Sequence, residues 1–171
     1  MARKSRQVET RMLSEYLLQQ YGKFSFIMDI PLGKVDEALM ASQGYQQAIN
    51  MTRPFRPRAD AIVILPRYLV LIEAKVWNAV NGLAKLPLYK SLVPFTPELK
   101  QYLPREVLME LVVGSAPSNL QIMAREQDVK LVVFTPDWLK EVVDSLNKYW
   151  TPEYQRQRQE KIALRQYFGL E

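Results

Sequence analysis

Residues 58–76 read RADAIVILPRYLVLIEAKV, two apolar runs, Ala59–Leu65 and Tyr68–Val76, separated by Pro66-Arg67. Their richness in Ile, Val, Leu and Tyr, and the proline at the break, predict two strands joined by a tight reversal. Glu73 and Lys75 interrupt the second run. They stand two residues apart and therefore point to the same face of the strand. Charged side chains are seldom fully buried unless they are paired or bound to something. A reversal about the Pro66–Arg67 bond pairs residues whose numbers sum to 133, so Leu65 faces Tyr68, Ile64 faces Leu69, and Asp60 faces Glu73. Residues directly opposed in this way have Cβ atoms roughly 5 Å apart, where like charges destabilise. Lys75 lies diagonal to Asp60 on the same face.

Two readings of this trio compete. One is a structural ion pair, Asp60–Lys75 or Glu73–Lys75, at a sheet end, since Glu-x-Lys is a common tripeptide. The other is a cation site. Two carboxylates opposed on an apolar sheet are costly unless a positive charge joins them, and the acid facing Glu73 favours this second reading. Oxygen ligands alone suit a hard ion, Mg²⁺ or Mn²⁺, shared with substrate phosphate. Such an ion supplies Lewis-acid chemistry at a phosphodiester. Lys75 beside it could orient or deprotonate the attacking water, or support charge on the phosphate.

Composition narrows the chemistry further. The chain of 171 residues suits one domain with a sizeable core, with 48% hydrophobic and 24% charged residues. It has no cysteine and no histidine. That excludes disulfides, thiolate and imidazole metal sites, and Ser-His-Asp or Cys-His catalysis. The net charge of +5 favours a polyanionic partner. The apolar runs are too short to cross a bilayer, and the basic start, MARKSRQVET, is followed by no apolar stretch. A cytoplasmic location without membrane association is therefore expected.

The remaining elements surround the strand pair. Val8, Met12, Leu13, Tyr16 and Leu17 give residues 5–21 a helical period, with Gly22 as its stop. A strand is expected over Phe24–Ile30, then a long polar connection to Arg58 with one short helix around Asp36–Met40. Such a connection is expected to be a binding loop or a mobile segment. A helix over Val80–Leu92 should be kinked or shortened by Pro87. A strand at Val107–Val113 precedes a short helix opened by a capping box of Ser118 and Gln121. Then come a strand at Val129–Thr135, a helix capped by Thr135-Pro136, and a polar helix starting at Thr151-Pro152 and running to about Tyr167. The alternation of elements indicates an α/β domain.

Asp60, twelve intervening residues and Glu73-Ala74-Lys75, on a strand pair preceded by a helix, resemble the active-site region of the PD-(D/E)xK nuclease superfamily. Restriction enzymes, Holliday junction resolvases and endonucleases of phages and mobile elements belong to it. The string FRPRADAIVILPRYLVLIEAK, residues 55–75, carries most of the likeness, which extends from about Val8 to Tyr89. Ala59 stands where the name-giving proline would be, a position at which the family varies. The resemblance implies a restriction-endonuclease-like single domain with a central mixed β-sheet flanked by helices. It spans residues 1–150, with residues 151–171 forming a C-terminal basic helix. It further implies Asp60 and Glu73 as ligands of Mg²⁺ or Mn²⁺, the Ala74 backbone carbonyl as another, and Lys75 as the catalytic lysine. The family's additional glutamate on the first helix corresponds to Glu9 or Glu15, and Glu9 borders the buried stripe more closely. Lys85 and Tyr89 match a helical motif in which Gln stands in place of Lys85. An i, i+4 pair lies on one helix face, so both could reach DNA phosphate or the site, or Tyr89 could simply pack.

DNA contacts are expected from three basic groups. Arg53, Arg56 and Arg58, interleaved with Pro54, Phe55 and Pro57, lead into Asp60, and guanidinium groups bind phosphate bidentately. Arg58 should oppose Lys75 and so border the site. Arg158, Lys161 and Arg165 share one face of the last helix, as a DNA contact or as an ordinary solvated face. Arg3, Lys4, Arg6 and Arg11 form a basic N-terminal arm. The expected function is that of a metal-dependent DNA endonuclease, and a homodimer would supply the two sites that cutting both strands requires. The alternative is a non-catalytic DNA-binding or assembly module that keeps the nuclease fold.

Overall fold

The computed structural model describes residues 2–147 and 152–168. They form an α/β structure built on a five-stranded mixed sheet flanked by helices. The strands are β1 (Ser25–Pro31), β2 (Arg58–Ile64), β3 (Tyr68–Lys75), β4 (Glu106–Val113) and β5 (Val129–Val133), and their spatial order follows the chain. β1–β2 and β2–β3 pair antiparallel, whereas β4 and β5 add on in parallel. The β2–β3 pairs, from Ala61 with Ile72 to Ile64 with Leu69, keep the register that the tight reversal implies.

Both faces of the sheet are covered, which is why the inner strands read as near-continuous apolar runs. On one face Ile62, Leu69, Leu71, Met109 and Leu111 pack with Leu83 and Leu86 of α4 (Ala79–Leu92) and Leu120 and Ala124 of α5 (Ser118–Glu126). Both parallel crossovers thus lie on this side. α1 (Ala2–Tyr21) packs against β3 and buries Met12, Leu13, Tyr16 and Leu17. Two further helices, α6 (Asp137–Asn147) and α7 (Pro152–Tyr167), follow the sheet. Residues 1–134 and 135–171 form two compact units. No helix among the described residues is long and apolar enough to cross a membrane.

Several local expectations need correction. The N-terminal basic group, Arg3, Lys4, Arg6 and Arg11, belongs to a helix that starts at Ala2, not to an arm. The connection after β1 holds two helices, α2 (Glu37–Gln43) and α3 (Tyr45–Thr52), where one was expected. Asp36 caps α2 by accepting from the Ala38 and Leu39 N–H groups. Val35, Ala48 and Ile49 bury a small satellite core that gives both helices something to pack on. Pro87 does not shorten α4, because Leu83 and Leu86 are buried in the turn before it and the helix continues to Leu92. The α5 N-cap is Pro117 and not Ser118; the Gln121 side chain donates to the Ala116 carbonyl in place of closing a capping box. Thr151 lies outside the described residues.

Arg56 fastens this helical insert to the rest of the unit. Its Nη1 and Nη2 donate to the two carboxylate oxygens of Glu98 at 2.7 and 2.8 Å, while Nε and Nη2 also donate to the Leu32 and Pro31 carbonyls. Only 5% of the Arg56 side chain is exposed. Removing one partner of such a pair strands a charge away from water. Glu98→Ala is therefore expected to destabilise the fold by about 3 kcal/mol, measured as a lowered midpoint in urea. A change within a few tenths would mean that the clamp is dispensable.

Candidate active site

The site forms where β2 and β3 diverge. Beyond the Ala61–Ile72 pair the ladder opens, and Asp60 Oδ2 accepts the Ala74 N–H at 2.9 Å. This hydrogen bond holds the Asp60 carboxylate over the C-terminal end of β3. Glu73 comes from that strand with a side chain only 2% exposed, and Lys75 follows two residues later. The Lys75 ammonium is 3.1 Å from Asp60 Oδ2, 3.1 Å from Glu73 Oε2 and 2.9 Å from the Ala74 carbonyl oxygen. Three oxygens from three residues thus converge on one positive centre. Gly82 of α4 leaves room for it: a Cβ there would stand 2.7 Å from Lys75 Cγ and 3.1 Å from Leu111 Cδ1.

Charge and burial oppose each other at Glu73. Burial, and then the negative charge of Asp60, push its carboxyl up to about 7. Burial works against the Lys75 ammonium, but Glu73 and Asp60 outweigh it and raise its pKa. The donor set is two carboxylates and a carbonyl, the type that hard divalent cations take. Among the described residues no group of three or more Asp or Glu side chains gathers to form a metal cluster. The residues present fit one ion in the place where the Lys75 ammonium stands.

Glu9 reaches the site from α1. Its Oε1 accepts the Val76 N–H at 3.1 Å, and its carboxyl is raised by burial while Lys75 and the Val76 and Trp77 N–H groups partly offset this. A small pocket is lined by Glu9, Asp60 and Ala74 together with Arg6, Met28 and Asp29. Glu15, the other candidate, lies farther along the helix and pairs with Arg11 at 3.0 Å. On α4, Tyr89 is half-buried; burial, then Glu73 and Asp60, raise its hydroxyl. Lys85 contributes a positive field at Glu73 without touching it.

The basic residues separate into different roles. Arg56 cannot serve as a phosphate contact, because its guanidinium is buried and engaged by Glu98 and two carbonyls. Arg58 does not turn toward Lys75; its Nε donates to Asp29 Oδ1 at 2.6 Å. Arg53 is exposed, and its charge acts on the same carboxylate. Arg158, Lys161 and Arg165 are exposed on α7, in the second unit.

Two acids of structural weight were not anticipated. Asp29 stands between the Met28–Ala61 and Ile30–Ala59 pairs with φ +53°, a left-handed backbone uncommon outside glycine. In register it lies beside Asp60, which was the only available signal. Glu110 on β4 is buried, accepts from the hydroxyls of Tyr16 at 2.6 Å and Tyr21 at 3.0 Å, and pairs with Lys130 at 2.8 Å. Its place inside the apolar run 107–113 marked it as an exception. Compared with protein-family models, curated proteins and solved structures, the chain has no match.

The raised carboxyl of Glu73 gives a pH signature. A group whose pKa is higher in the folded state stabilises the fold fully below its unfolded value and loses that contribution as pH rises through the folded one. The metal-free protein is therefore expected to lose thermal stability between about pH 4.5 and about pH 7. Glu73→Gln should remove most of this decline, with Glu9 carrying the remainder. Melting curves across that range check it, and an undiminished slope in Glu73→Gln would contradict the assignment.

Proposed function

We propose that this chain is a metal-dependent DNA endonuclease with a restriction-endonuclease-like fold. The observation that carries the reading is the convergence of Asp60, Glu73 and the Ala74 carbonyl on one cation-sized point, beside Glu9 and at a strand end. An isolated ion pair needs only one carboxylate, and this one is built from two, the second almost wholly buried. Asp60, Glu73 and the Ala74 carbonyl would hold Mg²⁺ or Mn²⁺, which when bound polarises a phosphodiester and lowers the pKa of water.

The protein's own groups supply the rest. Lys75 yields its place between the carboxylates and remains tethered beside them, where its ammonium can orient the attacking water and offset charge gathering on the phosphate. Glu9 fixes the start of the segment after β3 through Val76 and adds a third carboxylate that can orient water. Lys85 and Tyr89, one turn apart on α4, face the same region and can meet phosphate oxygens. DNA is the partner that the net positive charge favours, and a homodimer would bring the two sites needed to cut both strands.

The second reading is a non-catalytic DNA-binding or assembly module. Its support is that Lys75 already neutralises both carboxylates, so the cluster is self-sufficient without any ion. Nicking of supercoiled plasmid in Mg²⁺ or Mn²⁺ separates the two. Wild type should nick, Asp60→Asn should not, and Lys75→Ala should be slower by about 100-fold or more. Mn²⁺ should raise the melting temperature of wild type and leave Asp60→Asn unmoved, since a ligand selective for the folded state stabilises it. No nicking of plasmid, linear, single-stranded or branched DNA, together with strong destabilisation by Asp60→Asn, would establish the module.

A further inference from the structure

Next to the carboxylate pair, two arginines from separate elements engage one acid, Asp29, and the charge of a third reaches it. Arg58 at the start of β2 donates from Nε to Asp29 Oδ1 at 2.6 Å and from Nη2 to the Asp29 carbonyl. Arg6 from α1 approaches the same Oδ1 at 3.7 Å. Arg53, from the 3₁₀ turn 53–55 that precedes β2, is exposed. Asp29 itself is about half exposed, so the group faces solvent. Asp29 thus pairs with two cations at once, and it lines with Arg6 the pocket that also holds Glu9, Asp60 and Ala74.

The geometry points to a phosphate-binding subsite formed by Arg6 and Arg58, in which Asp29 serves as the resident counter-ion that a DNA backbone phosphate replaces or joins, with the exposed Arg53 adding positive charge. It rests on the reading of Asp60, Glu73 and Lys75 as the place where a phosphodiester is cut, and it assigns the next phosphate along the strand. The chemistry of the acid fits. The Arg58 hydrogen bond, and then the charges of Arg58, Arg6 and Arg53, hold the Asp29 carboxyl below its usual range, so all three cations act on one anion position. Arg58 uses Nε and Nη2 on Asp29, which leaves Nη1 for a second oxygen acceptor. The left-handed backbone of Asp29 places this acid out of the regular alternation of β1. Such strain is tolerated where the surroundings fix it, as Arg58 does here from the neighbouring strand.

Binding of a fluorescent duplex by the full chain, in EDTA so that no cutting occurs, tests this over a series of KCl concentrations. Arg6→Ala and Arg58→Ala should each weaken binding and reduce the salt slope of log affinity by about one unit. Arg67→Ala, on the exposed β2–β3 turn at the far end of the strand pair, should leave the slope unchanged. Asp29→Asn keeps an oxygen acceptor for Arg58 while removing the competing charge, so it should tighten binding. Arg6 is highly exposed and its loss should not disturb folding, which keeps the test decisive if Arg58→Ala misfolds. Slopes for the Arg6 and Arg58 variants equal to that of Arg67→Ala, or no gain from Asp29→Asn, would overturn the subsite. Plasmid cleavage by wild type reports separately on the endonuclease reading. Cutting with unaltered slopes removes only the subsite, whereas altered slopes without cutting remove only the nuclease.

Discussion

The Glu73 carboxylate is almost wholly removed from water, and the arrangement of the sheet end follows from the need to compensate it. An uncompensated buried charge costs several kcal/mol, so a cation must stay within contact distance. In this structure the cation is Lys75, held at 3.1 Å from Glu73 and from Asp60 and at 2.9 Å from the Ala74 carbonyl. The absence of a side chain at Gly82 lets the lysine stem pass beneath α4. The second acid, Asp60, is in turn oriented by the Ala74 N–H. The site is therefore electrostatically closed by its own lysine, and under the proposed function a divalent ion would take the same three oxygens.

The rest of the first unit keeps that end of the sheet in place. α1 is tied at two points along its length. Tyr16 and Tyr21 bind the buried Glu110 on β4, and Glu9 accepts the N–H that follows β3. A helix fixed at both places presents Glu9 to the site without relying on a long flexible reach. The Arg56–Glu98 pair does a comparable task for the insert between β1 and β2, joining it to the segment before β4. Two arginines separated by a single proline thus serve opposite purposes: Arg56 is buried as a clamp, and Arg58 lies at the surface of the sheet end beside Asp29.

The strand pair and its register were legible because a proline-bearing reversal fixes which residues face each other, and apolar runs buried on both faces are distinctive. The meeting of Asp60, Glu73 and Lys75 followed from that register. Glu9 could be preferred over Glu15 because helical period places it beside the buried stripe. Arg56 could not be separated from Arg53 and Arg58, since its burial depends on Glu98, some forty residues away in sequence. α3 was missed because its buried face amounts to Ala48 and Ile49, too few residues to set a visible period. The left-handed turn at Asp29 carries no glycine or asparagine signal, and the two tyrosine partners of Glu110 lie on a helix some ninety residues earlier. What escaped the sequence were long-range polar pairs and one backbone irregularity, which local periodicity does not encode.

Mn²⁺ binding followed by electron paramagnetic resonance, above pH 7 so that Glu73 is ionised, tests most directly whether Lys75 occupies the cation position. If it does, wild type binds Mn²⁺ in competition with its own ammonium. Lys75→Met, which keeps the length of the stem and removes the charge, should then bind Mn²⁺ more tightly than wild type, with Asp60→Asn weakest. Failure of both wild type and Lys75→Met to bind Mn²⁺ would contradict the account and leave the three oxygens as a structural seat for lysine alone.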